Sequence, residues 1–122
     1  MLNLTLPGRV FVCTLPADMR RSFDGLAALV QQHLGCDPLC GDLFVFRSKR
    51  GDRVKLLYWD DDGYALWYKR LEKGTFPWPA LDGSRAAVGP YGLSLRPAEL
   101  AMLLDGIELT NVQRRPRYQR PA

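Results

Sequence analysis

The chain has 122 residues, of which 47% are hydrophobic and 25% charged. That is the make-up of one soluble globular domain, long enough to bury roughly two thirds of its unfolded surface. Three cysteines, an odd number, argue against a disulfide framework and fit a reducing compartment. No run approaches the roughly 20 apolar residues of a membrane span. The start, MLNLTLPGRVFVCTLP, lacks a basic leader and carries Pro7, so it does not read as a signal peptide and a cytoplasmic protein is expected. The formal charge of +4 is localised: Arg114, Arg115, Arg117 and Arg120 follow the last acid, Glu108, and the remaining body is neutral. A neutral body with a basic tail points mildly to a polyanionic partner.

In chain order, Val10–Leu15 is rich in β-formers and reads as a first strand ending at Pro16. Asp18 has the character of a helix N-cap, and Met19, Phe23, Leu26, Val30 and Leu34 recur at helical steps up to a stop at Gly35. Cys36–Gly41 reads as a loop. Leu43–Pro79 then holds all three tryptophans and eight of the seventeen Lys and Arg residues. Its alternation predicts three strands, Leu43–Arg47, Arg53–Trp59 and Tyr64–Leu71, divided by Arg50-Gly51-Asp52 and by Asp60-Asp61-Asp62-Gly63. A two-residue Asp62-Gly63 turn would set Trp59 against Leu66, Leu57 against Tyr68 and Lys55 against Arg70; a longer loop would change that register. Asp82–Pro90 reads as an exposed loop and Tyr91–Leu95 as a short edge strand. Pro97 opens a second helix with Leu100, Leu103, Leu104 and Ile107 on its apolar face. The expected architecture is α+β: an antiparallel β-meander packed against one main helix, with a short C-terminal helix. Residues 1–110 form the expected domain, and 111–122 a basic tail without periodicity, expected to be disordered.

Arg47, Lys49, Arg50, Arg53 and Lys55 cluster at the first hairpin, and Lys69, Arg70 and Lys73 approach the end of the third strand. Such cations can neutralise phosphates, and Trp59 or Tyr68 between them can stack on bases. The plainer account makes the aromatics core and the cations a solvated strand edge. The Asp60–Asp62 run lacks the spacing of a calcium loop, and His33, Cys36, Cys40 and Cys13 match no zinc pattern, so no metal and no cofactor are expected. With one histidine, no nucleophile motif and no converging carboxylates, the residues do not describe an enzyme.

DMRRSFDGLAALV (residues 18–30), the Leu43–Pro79 stretch and LAMLLDGI (residues 100–107) occur in the order of a known family. Together they resemble TnpB, the accessory protein encoded by the second open reading frame of IS sixty-six insertion sequences; it shares only a name with RNA-guided nucleases. The resemblance covers roughly Val10–Ile107. It implies a non-catalytic protein that assists a separate DDE-type transposase in DNA transposition, with no assigned active site. Arg20, Arg53, Lys55, Lys69 and Arg70 are the charged positions inside the matching motifs. Joined with the hairpin cluster, they give the candidate DNA-binding set Arg20, Arg47, Lys49, Arg50, Arg53, Lys55, Trp59, Lys69 and Arg70, with Arg114, Arg115, Arg117 and Arg120 as candidate tail contacts to phosphates. Trp59 and Trp67 fit either a core or a stacking surface. The rival expectation is an adaptor of the transposase that touches DNA little, using an apolar patch around Trp67, Phe76 and Trp78. Association of two chains through a sheet edge is left open by the sequence.

Overall fold

The computed structural model describes residues 8–107. Its elements are β1 (Val10–Cys13), α1 (Phe23–Leu29) continued by a π-helical turn (Val30–Leu34), β2 (Leu43–Arg47), β3 (Arg53–Asp60), β4 (Gly63–Arg70), β5 (Ala87–Val88), β6 (Gly92–Leu95) and α2 (Pro97–Leu104). The strands form one six-stranded sheet in the order β4-β3-β2-β1-β6-β5. The architecture is α+β with the expected meander, main helix and short C-terminal helix. The sheet is nevertheless mixed, because β1 and β2 run parallel and α1 makes the crossover between them.

Alternation sends the buried apolar strand residues to one of two cores. Phe11, Phe44, Phe46 and Leu57 pack with Leu26, Val30 and Leu34 on the α1 side. Val12, Val45, Leu56 and Leu93 pack with Leu100, Leu103 and Phe76 on the α2 side. Both central strands, β1 and β2, are therefore apolar on both faces, which explains why Val10–Cys13 and Leu43–Phe46 are buried at every position.

Several expectations change. The main helix starts at Phe23, with Ser22 as N-cap and Asp18 outside it. Asp18 instead closes a local turn, its Oδ1 accepting the Arg20 N–H at 2.9 Å and its carbonyl the Arg21 N–H at 3.0 Å. The carbonyls of Met19 and Arg21, which a helix would offer to residues four further on, accept from the Lys55 ammonium at 2.8 and 2.7 Å. Phe23 consequently lies at the helix mouth, 43% exposed, and is not core. The stop at Gly35 stands: its φ is 62°, the left-handed conformation of a helix C-terminus.

The β3–β4 turn consists of Asp61 and Asp62, closed by the pair Asp60 and Gly63, with Asp61 at φ 51°. Leu57 thus faces Leu66, Lys55 faces Tyr68 and Arg53 faces Arg70. This is a shift of two residues from the Asp62-Gly63 turn, so each side chain keeps its face but changes its neighbour. β6 is not an edge; it lies between β1 and β5. The loop before it is fastened by Arg85, whose buried guanidinium pairs with Glu99 of α2. Glu99 also accepts the Arg96 N–H at 3.1 Å, which closes the start of α2 although Arg96 is a poor cap residue. Ile107 lies beyond α2 and is 43% exposed.

Candidate nucleic-acid interface

A groove of about 530 Å³ lies where the β2–β3 hairpin meets the segment before α1; Asp18, Met19, Lys49, Arg50, Asp52 and Arg53 are among its lining residues. The hairpin wall is built by local hydrogen bonds. Ser48 N–H donates to the Arg53 carbonyl at 2.9 Å, and the Ser48 hydroxyl accepts from Arg53 N–H at 3.2 Å and donates to Asp52 at 3.2 Å. Gly51, at φ 81°, turns the chain so that its carbonyl accepts the Phe76 N–H at 2.8 Å. The opposite wall is held by Ala17 N–H on the Arg47 carbonyl at 2.9 Å and by Lys55 on Met19 and Arg21.

Three candidate residues, Lys49, Arg50 and Arg53, line this groove. Arg70 is the cross-strand neighbour of Arg53 on the same face, so two guanidinium groups share one end of the sheet. Arg53 also donates to the Tyr68 hydroxyl at 3.3 Å, and Arg70 pairs with Glu72 at 3.0 Å, an exposed pair. Arg20, with its side chain 91% exposed, follows Met19 of the opposite wall and forks onto Asp18, with Nη2–Oδ2 at 2.7 Å. The Arg20 hydrogen bonds hold the Asp18 carboxyl down at about 2, so it is ionised at any physiological pH.

Other candidates are placed elsewhere. Lys55 is 5% exposed; its ammonium lies 4.6 Å from the Tyr68 ring centroid and is spent on the two carbonyls, so it leaves the DNA-contact set and becomes the clasp of the groove wall. Arg47 points to the other face, where it donates to the Phe76 carbonyl at 2.8 Å and lies 5.1 Å over Trp78. Burial lowers the Arg47 pKa from its usual value. Lys69, opposite Val54, also projects on the far side from Arg53. Trp59 packs edge-on against Tyr64 at 5.1 Å near the acidic turn. Six residues of strand, roughly 20 Å, separate it from Arg53. One continuous basic-aromatic face is therefore not formed: alternation divides the cations, and strand length removes the tryptophan. Arg114, Arg115, Arg117 and Arg120 lie outside the described residues.

Of the apolar patch expected around Trp67, Phe76 and Trp78, Phe76 is buried and the two tryptophans are half-buried. Phe76 is 1% exposed, Trp67 and Trp78 pack against the α2-side core, and Trp78 Nε1 donates to the Cys13 carbonyl at 2.9 Å. Among the described residues no three His, Cys, Asp or Glu side chains form a group that could hold a metal ion. Burial raises the pKa of Cys13, Cys36 and Cys40, which keeps them as thiols. No helix of the described residues is long and apolar enough to cross a membrane. Lys55 carries the role that sequence reasoning missed; its one signal was sharing an alternating face with Leu57, which is fully buried.

Residues 8–114 match the family described as IS66 Orf2 like protein. The chain belongs to this family, which gives it a role in insertion-sequence transposition. It is also similar to two proteins of Sinorhizobium fredii (strain NBRC 101917 / NGR234). The uncharacterized protein y4jC is 44% identical over 109 residues, covering 88% of this chain and 86% of the relative. The uncharacterized protein y4hO is 40% identical over 105 residues, covering 86% and 85%. No solved structure matches.

Proposed function

We propose that this protein is a non-catalytic accessory factor that binds DNA through the groove at the β2–β3 hairpin and assists a separate DDE transposase at the element. The observation that carries this reading is the gathering of Lys49, Arg50 and Arg53 on one groove, with Arg70 beside Arg53. Lys49, Arg50 and Arg53 outnumber the two carboxylates that line the same groove, Asp18, which is ion-paired with Arg20, and Asp52, which accepts from the Ser48 hydroxyl, so the groove favours a phosphate backbone by charge. Binding of this kind is dominated by phosphates and is only weakly selective for sequence unless base edges are also reached. The rival adaptor reading rested on a patch around Trp67, Phe76 and Trp78; Phe76 is buried and the two tryptophans are partly buried against the α2-side core, which leaves less apolar surface there for a partner.

The test is titration of labelled element-end DNA and a scrambled duplex across a salt series. The wild type would be compared with the quadruple variant Lys49→Glu, Arg50→Glu, Arg53→Glu, Arg70→Glu and with Lys55→Met. Wild-type binding should weaken with salt, and its log–log slope should fall by about 0.9 for each phosphate contact removed. The quadruple variant should lose binding, whereas Lys55→Met, which loosens the groove wall without removing a cation that lines it, should weaken binding by far less at equal folded concentration. Absence of wild-type binding at low salt would remove the DNA reading and turn attention to co-purification with the transposase.

A further inference from the structure

β4 is the outer strand of the sheet, and among the described residues its strand partner is β3 alone. The Leu71 N–H donates to the Asp52 carbonyl at 2.8 Å, which fixes the phase of the β3–β4 ladder. Bonded pairs recur at every second residue, so Tyr64, Leu66, Tyr68 and Arg70 turn their main-chain N–H and C=O away from β3. The ladder runs unbroken over all eight residues of β4, from Gly63 to Arg70, with no bulge to twist the edge away. No proline interrupts it, and the central run Tyr64-Ala65-Leu66-Trp67-Tyr68 carries no charge. Solitary edge strands are usually blunted by such features. The opposite edge, β5, is only two residues long.

The charges at the two ends of β4 identify the occupant. Asp60, Asp61 and Asp62 precede the strand, and Lys69 and Arg70 end it, with Glu72 on Arg70 in an exposed pair that an incoming Asp62 would exchange with. An antiparallel copy of the same strand brings acid onto base at both ends, whereas a parallel copy stacks like on like. Two-fold symmetry with the outward-facing groups bonded sets Leu66 opposite Leu66, Tyr64 opposite Tyr68 and Asp62 opposite Arg70.

We propose that β4 is a self-association edge, through which a second copy of this chain adds its own β4 antiparallel to make a continuous sheet across a two-fold dimer. The proposal does not rest on DNA binding and is tested without DNA. Sedimentation across roughly micromolar to several-hundred-micromolar chain should show a reversible dimer, since a single strand pair makes a small interface. Tyr68→Pro removes an outward N–H and leaves the main-chain bonds to β3 in place, with Tyr68→Ala as the control for loss of the ring over Lys55; Tyr68→Pro alone should abolish the dimer while circular dichroism remains that of the wild type. Asp62→Arg and Arg70→Asp should each weaken dimerisation by roughly 2- to 30-fold, since symmetry counts each substitution twice. The double exchange should restore it, an outcome that general loss of structure cannot produce. A wild type that stays monomeric throughout, or a dimer indifferent to all of these changes, would overturn the proposal.

Discussion

The two faces of the sheet each bury cations, by different means. On the α1 face Lys55 is held by two neutral main-chain carbonyls and the ring of Tyr68. On the α2 face Arg85 is matched to Glu99, while Arg47 uses the Phe76 carbonyl and the Trp78 ring. The first arrangement is a clasp on the segment that leads from β1 to α1 and shapes the groove. The second fastens a long loop to a helix and only stabilises. Basic residues in an alternating strand are thus not a surface until their face and its cover are known.

Removing the acid of the α2 face should have the largest effect. Glu99→Ala leaves Arg85 buried without its carboxylate and should cost about 3–5 kcal/mol in urea unfolding. A loss below about 1 kcal/mol would show that the loop simply releases Arg85 to water. Burial pushes the Glu99 carboxyl up, but the Arg96 N–H and the charges of Arg85 and Arg96 outweigh it and set the pKa below the usual 4.5. A carboxyl depressed in the folded state contributes stability above its unfolded pKa, and that stability is lost as pH falls through the folded value. Asp18 acts in the same direction, between its ordinary 3.8 and about 2. Thermal melts should therefore fall only on acidification below about 4.5, and less steeply in Glu99→Gln.

On the α1 face, Lys55→Met should cost about 2–3 kcal/mol, because two carbonyls lose a charged donor. Amide exchange around Met19–Ser22 should quicken with it; unchanged exchange would separate Lys55 from the groove wall. Arg47→Met should cost about 1–2 kcal/mol, for one hydrogen bond and one cation–ring contact. Phe23→Ser should change stability by no more than about 0.5 kcal/mol, since the ring is 43% exposed. A larger loss would mean that this ring is part of the α1-side core after all.

Much of the fold was legible in the residues themselves. The meander strands follow from alternation between Gly- and Asp-bearing turns, α2 from Pro97 and its leucines, and the end of the main helix from Gly35, because each signal acts within a few residues. The groove was half legible: the cluster Lys49, Arg50 and Arg53 is continuous in the chain, and so is its place beside a turn. The helix start was misread because Asp18 has a cap's chemistry, while the Lys55 ammonium that takes the neighbouring carbonyls lies some 36 residues away.

Short-range signals along the chain define the set of elements and the periodicity that gives each strand two faces. Long-range pairing sets β1 between β2 and β6, selects which cations each face covers, and stands Arg70, not Trp59, beside Arg53. Those outcomes depend on pairing register and on contacts between distant segments, for which side-chain alternation carries no local instruction.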